Sequence, residues 1–204
     1  MKRVVGLVAA VCFGLISGSS SSAGPIHYSA RLDGPSEAMP NTSPGIGFAT
    51  FVFNPDKHTL ALNVTFSGLL GNTTAAHIHG PTAIPGTGAA SVATTLPSFA
   101  GFPLGVTFGS FSNVLNTLDA TTYSPGFIAN NGGTLAGAEA ALGMMLANGS
   151  AYLNIHSEVF TGGEIRGFIQ PVPEPSSLAI WAVGLIGACG FVSARSQRRV
   201  AGAM

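Results

Sequence analysis

The chain has 204 residues, with eight lysines and arginines against eight aspartates and glutamates, so its formal net charge is zero and only 8% of it is charged. A nucleic-acid partner leaves a basic stripe or a pI above about 9, and a pI of 7.0 with cations scattered from Lys2 to Arg199 argues against one. The apolar share is 46% and the mean hydropathy +0.44; setting aside the two strongly apolar ends leaves about 150 residues, enough for one domain with a core and too few for two.

At the N-terminus Lys2 and Arg3 precede the uncharged run Val4 to Ile16, and a Ser/Gly stretch closes at Ser21-Ser22-Ala23. This is the layout of a secretory signal peptide over residues 1–23, cut between Ala23 and Gly24. A retained anchor is the alternative, but the run is shorter than the roughly 20 residues that a spanning helix needs.

The exported region opens with a period of two: Ile26, Tyr28, Ala30 and Leu32 alternate with His27, Ser29, Arg31 and Asp33, which predicts a strand. A turn-rich loop from Gly34 to Gly45 follows, then a strand from Gly47 to Phe53. The polar turn Asn54-Pro55-Asp56-Lys57 leads into Leu60, Leu62, Val64 and Phe66, which alternate with polar or small residues and complete a β-hairpin. Gly68, Gly71 and Asn72 break the chain before a strand from Ala75 to Gly80. Residues 81–132 are rich in Gly, Pro, Ser, Thr and Asn, with one strand expected near Leu104 to Phe111. Leu135, Ala138, Leu142, Met145 and Leu146 recur at helical spacing, so a helix is expected over Thr134 to Ala147, with Gly149 beyond its end. Strands return at Ala151 to His156 and Glu164 to Ile169, around the turn Thr161-Gly162-Gly163. The pattern predicts an all-β domain over residues 24–171: a Greek-key β-sandwich, immunoglobulin-like or superoxide-dismutase-like, with one short helix.

Between Gly24 and Val172 three cations face seven acids, a net charge of −4, so the surface is mildly acidic. The two cysteines, Cys12 and Cys189, fall in the apolar ends. The domain therefore has no disulfide, thiolate ligand or cysteine nucleophile. It also lacks a Gly-x-Ser-x-Gly elbow, a phosphate loop and a His-Glu-x-x-His helix. Glu158 and Glu164 flank one turn, but a glycosidase pair must face across a cleft at about 5 to 9.5 Å, which one hairpin end does not build. A non-enzymatic role follows, with no cofactor demanded by any motif.

Histidines carry the remaining chemistry. In a strand, residues i and i+2 share a face, so His77 and His79 point one way and Ile78 the other, while Tyr152, Asn154 and His156 share a face opposite Leu153 and Ile155. Should the two strands lie close with these faces aligned, three imidazoles converge, the number that gives zinc or copper a site with an open position. Under the alternative the same rings are structural, bonding backbone carbonyls in a satisfied polar layer. His27 and His58 have no motif around them.

At the C-terminus Val172-Pro173-Glu174-Pro175 precedes the uncharged run Leu178 to Ala194, and Arg195, Arg198 and Arg199 follow. The run spans roughly 26 Å as a helix, at the short end of a bilayer crossing. The arginines keep their side cytoplasmic, which places residues 24–170 outside, as the signal peptide independently requires.

Pro-Glu-Pro, apolar helix and basic tail in this order resemble the PEP-CTERM sorting signal of Gram-negative bacteria, covering residues 172–204. That resemblance implies an exosortase-type processing enzyme as partner, cleavage near the Pro-Glu-Pro, and transfer from a transient inner-membrane anchor to the cell surface, the extracellular matrix or its exopolysaccharide. A plain membrane anchor with a proline-rich spacer is the alternative. Residues 26–170 resemble the chordin-type (CHRD) domain through Tyr28-Ser29-Ala30-Arg31-Leu32, His77-Ile78-His79-Gly80, Asn154-Ile155-His156-Ser157 and Gly163-Glu164-Ile165-Arg166-Gly167; this implies an extracellular β-sandwich module with no established catalysis. The His-x-His and late Gly-x-x-Arg-Gly pattern is also similar to copper/zinc superoxide dismutase, but that enzyme's cysteines and further ligand histidines are missing. Two functions are therefore expected in competition: a non-enzymatic surface or matrix protein, and a copper- or zinc-binding protein using His77, His79 and His156.

Overall fold

The computed structural model describes residues 24–173. The expected signal peptide, the Glu174-Pro175 part of the sorting motif, the apolar run 178–194 and the three arginines lie outside the described residues. Among the described residues, no helix is long and apolar enough to cross a membrane.

The domain is mostly β. Its strands are β1 (Ile26–Asp33), β2 (Ile46–Asn54), β3 (Thr59–Ser67), β4 (Thr73–His79), β5 (Gly109–Asn116), β6 (Tyr152–Ser157), β7 (Ile165–Phe168) and β8 (Gln170–Pro171). Every pairing is antiparallel, and the strands follow one hydrogen-bonded path, β4-β6-β7-β1-β2-β3-β5, with β8 also on β1. The expectation of two facing sheets thus holds in its β character, whereas the connectivity is that of one continuous sheet. Its halves join at β1, which pairs with β2 along its whole length and with β7 at Asp33.

The sheet has to curl. Between β3 and β4 the chain has only residues 68–72, an extended reach of roughly 20 Å from Ser67 to Thr73. In a flat sheet the two strands would stand five positions apart, about 24 Å at 4.8 Å per strand. Curling brings the β4 end round toward β3 and β5. The segment after β4 bridges what remains: Gly105 N donates to Thr73 O at 2.8 Å, Thr73 N to Val106 O at 2.8 Å, and the Phe99 ring stacks on Phe111 of β5 at 5.8 Å.

The core fills the curl. Tyr28, Ala30 and Leu32 of β1, Ala49, Phe51 and Phe53 of β2, and Leu60, Leu62, Val64 and Phe66 of β3 are buried at every second position, as the alternation requires. Cross-strand register puts Ala30 beside Ala49, Ala49 beside Val64 and Val64 beside Phe111, so small and large side chains complement one another along a row. Ala76, Ile78, Leu153, Ile155 and Ile165 supply the other half of the interior.

Helix α2 (Leu135–Ala147) starts where Thr134 Oγ1 accepts from Gly137 N and ends before Gly149, whose φ of +71° is the left-handed stop a glycine adopts freely. It buries Ala138, Ala141, Leu142, Met145 and Leu146.

Two expectations need correction. A second helix, α1 (Pro125–Asn130), and a 3₁₀ turn at Ala120–Thr122 precede α2. Ser124 caps α1 with Pro125 at its first position, a start signal that was present in the sequence, but six residues are too few to show a helical period. The strand expected at Leu104 to Phe111 lies instead at Gly109–Asn116. Pro103 and Gly105 favour irregular backbone over a ladder, and regular pairing with β3 begins only at Gly109 opposite Phe66.

Candidate metal centre

The two halves of the sheet treat their outer faces differently. On the β1-β2-β3 side Thr50, Asn63 and Thr65 alternate outward to solvent. On β6 five of six residues are buried, so both faces are covered. The loops that carry Ser36 and Gly88 to Ala90 reach over that outer face, where they meet Arg166, His79 and Tyr152.

Register assembles the cluster. β4 and β6 pair His77 with Asn154, His79 with Tyr152 and Ala75 with His156, while β6 and β7 pair Asn154 with Arg166 and Tyr152 with Phe168. Paired residues share a face, so His77, His79, His156, Asn154, Tyr152 and Arg166 all stand on the outer side. The His77 ring centroid lies 4.6 Å from that of His79 and 4.7 Å from that of His156, and His79 is stacked flat on Tyr152 at 4.8 Å. The ligand nitrogens of the three histidines lie within 4.8 Å of one another. A tetrahedral ion with bonds of about 2.0 Å sets its ligands roughly 3.3 Å apart, a difference that imidazole rotation can close.

Protonation is set by the second nitrogen of each ring. His79 Nδ1 lies 2.9 Å from Ala90 O and His156 Nδ1 lies 2.8 Å from Thr161 O. A carbonyl only accepts, so in both rings Nδ1 carries the hydrogen and Nε2 presents a bare lone pair. Backbone anchoring of this kind is what holds a ligating histidine in tautomer and orientation. Burial, reinforced by the neighbouring histidines, lowers the pKa of His77 to about 3; burial likewise lowers that of His79 to about 4 and also depresses that of His156. All three rings are therefore neutral at physiological pH, the ligating form.

Around the rings, Arg166 holds the covering loops. Its Nη1 donates to Gly88 O at 2.7 Å, its Nε donates to Ser36 O, and its guanidinium lies 4.7 Å over the Tyr152 ring. Tyr152 Oη in turn accepts from Ala90 N at 3.2 Å, fixing the segment that anchors His79. Glu37 stands 4.0 Å from Arg166; burial raises its pKa to about 7 against the opposing pull of Arg166, the Ala38 N–H and the Asn154 amide.

Among the described residues, the buried side-chain nitrogens and oxygens without a hydrogen-bond partner are Nδ1 of His77, Nε2 of His79, Nε2 of His156, Oδ1 of Asn154 and Oε1 of Glu37. All belong to this one cluster. An unsatisfied buried polar group costs about 1–3 kcal/mol, so five together mark a place shaped for something other than its own stability. A cleft of about 290 Å³ between Glu37–Met39 and Phe160–Gly163 lies beside it. Wider grooves of about 440 and 500 Å³ on the β1–β2 surface contain none of the five atoms.

The other candidates fall elsewhere. Glu164 is wholly buried but spent on structure, accepting from Ser43 Oγ at 2.6 Å, Leu70 N at 2.5 Å and Gly71 N at 3.3 Å. Glu158 sits in solvent, bonded to Asn72 at 3.1 Å. His58 bonds Glu139 at 2.9 Å and His27 is exposed on β1. Val172 and Pro173 of the sorting motif and Gly24 of the cleavage site are exposed, and Val172 N donates to His27 O at 2.8 Å. Glu37 was not singled out by sequence; it sits in a proline- and glycine-rich loop with no motif to mark it.

No curated protein and no solved structure matches the chain. The model of the CHRD domain matches residues 28–169, from the third residue of β1 to the residue between β7 and β8, and takes in the whole histidine cluster. The chain belongs to the CHRD domain family.

Proposed function

We propose that this is an exported CHRD-domain protein that binds one transition-metal ion, copper or zinc, through His77, His79 and His156. One observation carries the reading: three neutral imidazoles converge with unpartnered ring nitrogens, two of them held in the ligating tautomer by backbone carbonyls. A structural histidine layer would leave its rings satisfied. A set of three nitrogens without thiolate or carboxylate suits copper and zinc and does not suit calcium or magnesium, which take oxygen.

CHRD domains are typical of extracellular or secreted proteins. The signal-peptide layout of residues 1–23 and the PEP-CTERM-like order of residues 172–204 support a finer location at the cell surface or matrix, after handling by an exosortase-type enzyme. A binding role toward a cell-envelope or exopolysaccharide component fits a surface of net charge −4 only with a cation between the two.

The test is metal content of the untagged full chain after chelator treatment and exposure to Cu²⁺ or Zn²⁺. One ion per chain is expected, lost in His77→Ala and His156→Ala and kept in His58→Ala. Metal content no higher than in the double His77→Ala/His156→Ala variant would refute the reading.

A further inference from the structure

Three nitrogens on an ion leave two of the five unpartnered atoms unexplained. Glu37 Oε1 and Asn154 Oδ1 are oxygens and need hydrogen-bond donors. The oxygen end of Asn154 is fixed by its amide N–H, which is spent on the Glu37 carboxylate. The two oxygens flank the place a β-carbon on Gly163 would occupy, at 2.6 and 2.8 Å from it, so they stand at most about 5.4 Å apart, a span that one small donor with two hydrogens bridges. They also belong to the metal patch: Asn154 stands opposite His77 and two residues before His156 on the same face. Glu37 is 6% exposed and Asn154 3%, so bulk water does not supply the donors.

Resting on the metal reading above, we propose that the ion keeps a fourth, exchangeable ligand: a water or another small molecule with O–H or N–H groups, bound to the ion through its lone pair and donating to Glu37 Oε1 and Asn154 Oδ1. One metal-bound water closes the whole account. The ion takes three nitrogens, the water oxygen takes the fourth position, and its two hydrogens take the two oxygens. Three protein ligands plus water is the arrangement of an open zinc site, unlike the four protein ligands of a structural one. The cleft beside Glu37 and Gly163 is the way in. Gly163, at φ +130°, leaves it clear, since a β-carbon there would press on both Asn154 and Glu37.

Electron paramagnetic resonance of the Cu²⁺-loaded full chain tests this in ordinary and in ¹⁷O-enriched water. Broadened copper lines in the enriched water are expected, together with a saturable azide charge-transfer band as azide displaces the water. Azide is an anion with no hydrogen to donate, so on the alkaline side of neutrality, where Glu37 is ionised, Glu37→Gln should tighten its binding about tenfold or more, the scale of removing one charged acceptor beside it. Bound copper with neither broadening nor an azide band would overturn the open position and leave three-histidine ligation standing; that outcome includes direct ligation by Asn154 oxygen. Unchanged azide affinity in Glu37→Gln would remove Glu37 from the position. A chain that takes up no copper fails earlier, at the ligation itself, and overturns both.

Discussion

Glu164→Ala should be the most destabilising single change in the domain, costing about 3–5 kcal/mol in chemical denaturation because it strands buried donors that have no other partner. Those donors come from distant parts of the chain: the hydroxyl of Ser43 before β2, and the N–H groups of Leu70 and Gly71 in the crossing from β3 to β4. Asn41 adds a bond to the Glu164 carbonyl at 3.1 Å. One carboxylate therefore buckles the short crossing that forces the sheet to curl. Burial alone would raise its pKa, but hydrogen bonds from Ser157, Ser43, Leu70 and Gly71 outweigh that and hold it below the usual value. The contribution is complete above the unfolded pKa of about 4.3 and is lost as pH falls through the lower folded value. The stability gap between the native chain and Glu164→Gln should accordingly narrow in acid and stay constant above about pH 5. A gap of under about 0.5 kcal/mol at neutral pH would mean that the crossing is held by something else.

The second large effect has an unusual sign. His77→Leu should leave the metal-free chain as stable as before or more so, because it replaces a ring whose Nδ1 has no partner with an apolar side chain of similar size. The same change should abolish stabilisation by metal. In the native chain an ion at about 1,000 times its Kd adds about 4 kcal/mol, or roughly 8–16 °C in melting temperature for a chain of this size. If the ring were a brace, His77→Leu would instead cost about 1–3 kcal/mol with or without metal. Acid acts on the same group. Below about pH 6.5 the unfolded chain takes up protons that folded His77 and His79 refuse until about 3 and 4. Metal-free stability therefore declines from about pH 6.5 downward, and less steeply in His77→Leu. Paired thermal melts with chelator and with Zn²⁺, across this range, measure both.

How much of this was legible in the sequence depends on which physics each feature uses. β1, β2 and β3 were visible because one face of each meets solvent and the other the core, so the period of two is written in residue type. β5 was misplaced because the apolar residues Leu104 and Val106 belong to irregular backbone against β4. That is a tertiary contact with no periodic trace. The single path of strands was hidden as well, since it depends on a crossing of five residues tied to the loop before β2 by Glu164, which lies 94 residues from Leu70 and 121 from Ser43 in the chain. The Gly-Glu-Ile-Arg-Gly motif stood out in sequence, and each position now has a reason. Gly163 clears Asn154 and Glu37, Glu164 buckles the crossing, Ile165 enters the core, and Arg166 clamps the loops. A β-carbon on Gly167 would lie 2.0 Å from Arg31 O.

The site divides in the same way. Strand parity alone put His77 and His79 on one face and aligned His156 with Asn154, and the pairing of β4 with β6 brings them together. Parity does not reveal the anchors that set the tautomers. Ala90 and Thr161 act through backbone carbonyls, which every residue has, so no side chain announces them. Glu37 reaches the cluster through the fold of a loop whose composition speaks only of turns.

X-ray absorption of the zinc-loaded full chain at the zinc edge probes ligation by His77, His79 and His156 most directly. The expected spectrum has nitrogen or oxygen neighbours at about 2.0 Å and the outer-shell scattering of three imidazole rings, a signal that His77→Leu removes together with the bound zinc. A first shell of oxygens without imidazole scattering, or a spectrum unchanged by His77→Leu, would contradict a metal centre at these histidines.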